Sequence, residues 1–215
     1  MTGAREHWPR AAGLALAGLL AVLAASAGGT EPRPRPRPRP VAAGEVCGDP
    51  ALVGKPLPSI AGEGGCGVAA PVSLEVAAGV GLEPPATLAC GAARALAAWL
   101  ASEGKARFAE RGAELAALVV VDGYSCRNRN RAEEGELSEH ALGGAIDVGG
   151  FRLGDGTVVG VLDGWGSPEW GATLRGLHRD ACGVFGTVLG PDANPLHADH
   201  LHFDVERRRS GAYCR

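Results

Sequence analysis

Two short segments of the chain gather four of its six histidines. One is Ser138-Glu139-His140-Ala141-Leu142-Gly143-Gly144-Ala145-Ile146-Asp147; the other is His197-Ala198-Asp199-His200-Leu201-His202-Phe203-Asp204. A lone aspartate in an apolar stretch is costly to bury unless it is paired or binds a metal. Asp147 lies in such a stretch, so the composition asks for a partner. Two neutral imidazoles and one carboxylate are suitable zinc ligands, and three protein ligands leave a fourth position for water. One carboxylate cancels only one of the two metal charges, so such a site stays electrophilic and lowers the pKa of that water. Amide hydrolysis there would also need a base to pass a proton to the leaving amine.

The elements around these residues must bring them together. In His200-Leu201-His202-Phe203-Asp204-Val205, side chains of a strand alternate between faces. Leu201, Phe203 and Val205 then face a core, while His200, His202 and Asp204 share the other side. Ile146, Asp147 and Val148 split in the same way. Neighbouring strands would let His140, Asp147 and a C-terminal histidine converge. The Gly143-Gly144 turn lets one segment present both of its groups.

Upstream, residues 44–82 are rich in glycine and proline with short apolar runs, and read as loops wrapped on the core. Glu83–Gly112 reads as a helix started by Pro84 and Pro85 and stopped by Gly112. Leu118–Val121 is a buried strand ending at the Asp122-Gly123 turn. Arg152–Leu162 reads as a hairpin with Asp155-Gly156 at its tip. Ser167–Gly186 reads as a second helix, with Ser167 as N-cap and Pro168 at its first position. The last strand is His200–Glu206. The order of these elements predicts a single α+β domain over residues 44–215. Glu139 is expected to face solvent, Trp99 and Trp170 to pack in the core, and His178 to lie on the surface.

The N-terminus carries a basic-ended lead, an apolar run of about 17 residues at the lower limit for a membrane span, and Ala25-Ser26-Ala27 as a cleavage site. Residues 1–27 therefore read as a signal peptide, or failing cleavage as an inner-membrane anchor. Either places the domain in the periplasm or outside the cell. Residues 28–43 contain alternating proline and arginine, a semi-stiff cationic spacer that acts as a linker or is drawn to anionic lipid or wall polymer. The net charge of −3 gives no reason to expect nucleic acid. All six cysteines (Cys47, Cys66, Cys90, Cys126, Cys182, Cys214) follow the signal, and an even number in an exported chain predicts disulfides. Cys47 with Cys66 is the pair suggested by their short separation; the others stay open.

Ser138 to Asp147 matches the pattern S-x-H-x-x-G-x-A-x-D, and His200-Leu201-His202 follows it. Together these resemble the zinc D-Ala-D-Ala carboxypeptidase and hedgehog-type peptidase superfamily. More closely, the stretch from Cys47 to Arg215 resembles the bacterial extensin-like C-terminal domain family. It does so through Cys47-Gly48, GYSCR at 123–127, SEHALGGAIDVGGF at 138–151, LGPDANPLHADHLHFD at 189–204 and the terminal YCR. The resemblance implies an antiparallel sheet with flanking helices, as in the DD-peptidases. It implies His140, Asp147 and His202 as Zn2+ ligands and either His200 or Asp199 as the base. Arg127 is implied as the residue that binds a substrate carboxylate or steadies an oxyanion. Ser138 would orient the His140 loop by hydrogen bonding; on their own chemistry, His197 would either hold its loop or support the ligands from behind, and Asp204 would either fix a histidine tautomer or form a surface salt link. The function implied is a monomeric exported metallopeptidase cutting amide bonds in peptidoglycan peptide stems. The alternative is a non-catalytic wall- or peptide-binding module that keeps the metallopeptidase fold.

Overall fold

The computed structural model describes Thr2 and residues 44–215, so the signal-peptide and spacer readings lie outside the described residues. No helix among the described residues is long and apolar enough to cross a membrane.

The chain first lays down β1 (Glu45–Val46), β2 (Asp49–Pro56), β3 (Ile60–Ala61), β4 (Gly67–Val68), β5 (Pro71–Ala77) and β6 (Val80–Ala89). The expectation of loops over residues 44–82 is therefore wrong. Its source is the short apolar runs: Leu52, Val72, Leu74, Val80 and Leu82 are buried in strands, with less buried residues such as Val53, Ser73 and Gly81 between them. A two-residue turn joins β5 to β6, with positive φ at Ala78 (50°) and Gly79 (83°), as a tight hairpin requires.

The expected helix start is also displaced. Residues 83–89 continue β6, and α1 (Cys90–Trp99) begins only after them. A residue before proline is biased to extended backbone, which suits Glu83 and Pro84. Leu82, Ala86 and Leu88 then meet β5 and β7 as apolar rungs. A π-helical turn (Leu100–Gly104) carries α1 into α2 (Lys105–Ala109), and Gly112 closes the segment with φ of 72°.

There follow β7 (Leu115–Asp122), β8 (Ala145–Leu153), β9 (Val158–Gly160), α3 (Val161–Gly164), α4 (Gly171–Ala181), β10 (Thr187–Leu189), β11 (Leu201–Asp204) and β12 (Tyr213–Cys214). Asp155-Gly156 turns β8 into β9 as expected, with Gly156 at φ of 91°. Helix α4 starts later than Ser167 suggests; the Ser167 hydroxyl accepts from the Trp170 amide at 2.9 Å and caps the turn leading into it.

The fold is a mixed α/β domain built mostly of sheet. Ten strands form one sheet in the order β1-β2-β5-β6-β7-β8-β11-β10-β12, with β9 beside β8. Most pairs are antiparallel, but β6 with β7 and β10 with β12 are parallel. The first parallel pair needs a crossover, which α1 and α2 supply. Trp99, Phe108, Phe151, Phe185 and Phe203 fill the core between helices and sheet. Phe203 stacks on Phe185 at 5.0 Å and meets Trp99 at 5.1 Å, which seats β11 with its odd-numbered residues inward. Trp170 lies against Phe108 at 6.1 Å, and half-buried His178 sits edge-on to Trp165.

Three disulfides tie the domain: Cys47–Cys90, Cys66–Cys126 and Cys182–Cys214. The Cys47–Cys66 pairing is thus corrected. Cys47 sits in the β1–β2 turn beside the start of α1, while the β3–β4 hairpin carries Cys66 to the segment after β7. Proximity along the chain lost to the topology of the sheet.

Candidate metal centre

Strand β8 lies between β7 and β11, and its Asp147 is directly opposite His202 in one pair and Asp122 in the other. The alternation read from the sequence holds. Leu201 and Phe203 are fully buried in the core, whereas His202 and Asp204 turn to the opposite face. His140 arrives from the loop before β8. It lies on a short 3-10 turn, Glu139–Leu142, closed by Gly143 at φ of 65°. Only glycine fits there: a Cβ on Gly143 would lie 2.8 Å from the Val68 side chain and 2.9 Å from the Ala89 amide nitrogen. Backbone hydrogen bonds from Ser125 to the His140 carbonyl and from Ala89 to the Gly143 carbonyl hold this turn against β6 and the loop after β7.

His140, Asp147 and His202 meet as a buried group whose ligand atoms lie close together. His140 Nε2 is 3.1 Å from His202 Nδ1 and 3.2 Å from Asp147 Oδ1, and His202 Nδ1 is 2.8 Å from Asp147 Oδ1. Adjacent ligands of a tetrahedral zinc ion are separated by about 3.3 Å, given Zn–N bonds near 2.0–2.1 Å. The three atoms therefore outline one face of such a tetrahedron, slightly contracted.

The outer nitrogens fix which inner ones are proton-free. His140 Nδ1 is 2.6 Å from the Gly123 carbonyl oxygen, which only accepts, so the proton is on Nδ1 and Nε2 points a lone pair inward. His202 Nε2 donates to Asp204 Oδ2 at 3.1 Å, which leaves Nδ1 for the centre. Two imidazole lone pairs and a carboxylate oxygen then face one another. Three acceptors at this spacing repel unless a cation lies among them. The donor set fits a divalent ion of the zinc type.

The charges respond accordingly. Burial opposes a charged carboxylate at Asp147, but the neighbouring His140 and His202 rings outweigh it and hold the group well below its usual range. Burial likewise disfavours a charged His202, yet Asp147 and Asp204 overcome it and raise the ring to about 9.

Around this triangle stand the other expected residues. His200 Nε2 is 3.6 Å from Asp147 Oδ2, and its Nδ1 is 2.7 Å from Asp199 Oδ1. Asp199 is the more exposed of the two, with 64% of its side chain accessible against 12% for His200. Asp199 therefore stands behind His200 and holds it, while His200 faces the centre. Arg127 lies 3.8 Å from Asp147 Oδ2 and 3.4 Å from Asp122 Oδ2. Ser138, expected to brace the His140 loop, instead has its hydroxyl 3.5 Å from Arg127, while its backbone carbonyl accepts from Ala141. His197 is not one of the three clustered ligands. Its Nδ1 donates to Asn194 Oδ1 at 3.0 Å, and its ring stands 5.9 Å from that of His202. Burial, reinforced by His200 and His202, pushes His197 down to about 4, so it is neutral near pH 7.

Two residues were missed. Asp122 was read only as part of a turn, yet it pairs with Arg127 and lies 3.8 Å from His140 Nδ1. Glu139 was expected in solvent but is half-buried on the wall of the site; burial first, then Asp204 and Glu206, raise its carboxyl. A turn acid and an acid on a short 3-10 turn carry no periodic signal, so neither was legible. Trp165 hydrogen-bonds Asp192 and is not among the residues that line the site.

The centre opens into a cleft of about 630 Å³. His197, His200 and Leu196 stand on one side and Val121, Arg127 and Arg131 are among its other lining residues. A search of curated proteins and a search of solved structures each returned no match. A family model described as "Extensin-like protein C-terminus" matches residues 48–215.

Proposed function

The chain belongs to the extensin-like protein C-terminus family, and from that premise and the three-ligand centre we propose an exported zinc-dependent hydrolase of amide bonds in peptidoglycan peptide stems. The observation that carries the reading is the incomplete ligand set: His140, Asp147 and His202 converge beside an open cleft, and His197 is engaged with Asn194 instead. A structural zinc is usually closed by four protein ligands, whereas a catalytic one keeps a position free. The DD-peptidase-like architecture and the kinship with hedgehog-type peptidases belong to this proposal, supported by the S-x-H-x-x-G-x-A-x-D pattern.

A bound zinc ion would supply Lewis acidity, polarising the substrate carbonyl and lowering the pKa of water in the site. His140, Asp147 and His202 would hold it, with Gly123 and Asp204 fixing the two rings. His200 Nε2, with Nδ1–H held by Asp199, is placed to accept a proton and deliver it to the leaving amine. Arg127 presents a fixed positive charge on the same wall, suited to a developing oxyanion or a substrate carboxylate. His197 stays neutral and adds no charge to the centre.

The test is to purify the protein, measure bound metal, and incubate it with muropeptides beside His140→Ala and His200→Ala variants. The expected result is one zinc per chain and stem-peptide cleavage. Both should be lost in His140→Ala, and cleavage alone should fall about 10²–10⁴-fold in His200→Ala. Stoichiometric zinc with no cleavage of any stem peptide would overturn the hydrolase and leave a binding module.

A further inference from the structure

The cleft is lined by four arginines, and three of them stand within ion-pair distance of acids. Arg127 faces Asp122 and Asp147, Arg129 pairs with Glu136 at 2.9 Å and Glu206 at 3.0 Å, and Arg208 pairs with Glu206 at 2.5 Å. Arg131 differs. Among the described residues no acid lies within ion-pair distance of it, and its recorded hydrogen bond is from its backbone amide to the Asn128 carbonyl at 3.2 Å.

The backbone holds Arg131 in an unusual place. Asn130 and Arg131 have φ of 55° and 56°, two successive left-handed residues of which only asparagine adopts that region readily. The excursion that bears them is closed by a bridge between Asn128 and Leu137. It is further pinned by the Arg129–Glu206 pair and, just before it, by the Cys66–Cys126 disulfide. A long flexible cation needs no such scaffold to reach water. Here the scaffold sets an unpaired guanidinium on the wall of the cleft that leads to the metal centre.

We propose that Arg131 is a specificity-determining contact that pairs with a carboxylate of the peptide substrate remote from the scissile bond. The inference rests on the hydrolase reading and adds a substrate class to it: peptides with an acidic side group. A guanidinium presents a planar fork of donors that matches a carboxylate, and Arg127 stands at the metal centre itself, 3.8 Å from Asp147, leaving Arg131 for a group farther along the cleft. At an exposed position the pair is worth a modest factor that falls with salt.

The test uses the full chain loaded with zinc and two synthetic pentapeptides. One is Ala-D-Glu-Lys-D-Ala-D-Ala, the other the same peptide with D-Gln for D-Glu. Binding is measured by calorimetry and cleavage by chromatography, for wild type, Arg131→Gln and Arg131→Lys. The wild type should bind the acidic peptide about 5-fold tighter, with the preference shrinking at high salt. Arg131→Gln should erase the preference and Arg131→Lys keep part of it. Equal affinity of the wild type for both peptides, binding of neither, or a preference that survives Arg131→Gln would overturn the proposal. Cleavage without preference sinks Arg131 and leaves the hydrolase; preference without cleavage sinks the hydrolase and with it the specificity role, leaving Arg131 a carboxylate contact of a binding module.

Discussion

Asp204 Oδ2 lies 3.1 Å from His202 Nε2, both on the same face of β11 two residues apart and both buried. Asp204 also accepts from the Glu206 amide at 3.0 Å, so its carboxylate is fixed from two directions. It sets the His202 ring with Nδ1 turned to Asp147. Asp204→Ala should therefore lower zinc affinity about 10–100-fold without unfolding the domain. Asp204→Asn, whose amide oxygen can still accept from Nε2–H, should lose less. Competition against a chromophoric chelator reads both; equal zinc affinity in all three proteins would show that Asp204 does not orient the ligand.

Alternation along β11 and β8 made the metal face legible from sequence, because a period of two separates core from site whatever the rest of the fold does. Leu201 and Phe203 went inward, so His202 had to face outward, and Asp147 followed by the same rule. The loop residues could not be read that way. Asp122 and Glu139 enter the site because β7 pairs with β8 and the glycine turn folds back, and those are long-range facts. The first three long strands, β2, β5 and β6, were missed for a related reason. The apolar rungs of β2 and β6 are interrupted by Gly54, Pro84 and Pro85, which punctuate loops when taken one at a time. Pairing between neighbouring strands supplied what local propensity lacked.

Metal-free protein should be most stable near pH 6.5. His197 is depressed from 6.5 to about 4, so its contribution is present above 6.5 and lost as pH falls through 4. Asp147, depressed from 3.8, adds loss in the same acidic direction. His202 is raised from 6.5 to about 9, so its contribution is complete below 6.5 and lost as pH rises through 9. Zinc reverses the alkaline limb, because it replaces the proton on His202 and binds more tightly as that proton leaves. Melting curves with and without zinc from pH 4 to 10 check this. A metal-free optimum at or above pH 9 would contradict the buried His202–Asp147–Asp204 arrangement.

Gly143→Ala tests the turn that delivers His140. Its φ of 65° disfavours any side chain, and an added Cβ would press on Val68 and the Ala89 amide. The expected cost is about 2 kcal/mol or more, with zinc affinity falling alongside stability. Gly156→Ala, also at positive φ but with open space around its Cβ, should cost less and leave zinc binding unchanged. A ranking in the opposite order by thermal unfolding would remove the steric argument.

The Cys66–Cys126 disulfide is expected to serve the site more than the fold as a whole. It joins the β3–β4 hairpin to the residue immediately before Arg127, whose guanidinium stands 3.8 Å from Asp147. The three ligands depend on β8, β11 and the Gly143 turn, and none of these contains Cys66 or Cys126. Cys47–Cys90 and Cys182–Cys214 would still brace the first strands and the C-terminal edge. The double variant Cys66→Ser/Cys126→Ser should therefore lose about 2–4 kcal/mol of stability and still fold in the cold. It should bind zinc stoichiometrically, since its ligand set is intact. Muropeptide turnover should drop about 10-fold or more, because a small displacement of a fixed charge weakens its hold on the reacting oxygen. Metal content, melting temperature and turnover measured on one preparation separate these effects. Full turnover with Arg127 released from its anchor would show that the disulfide does not position the arginine.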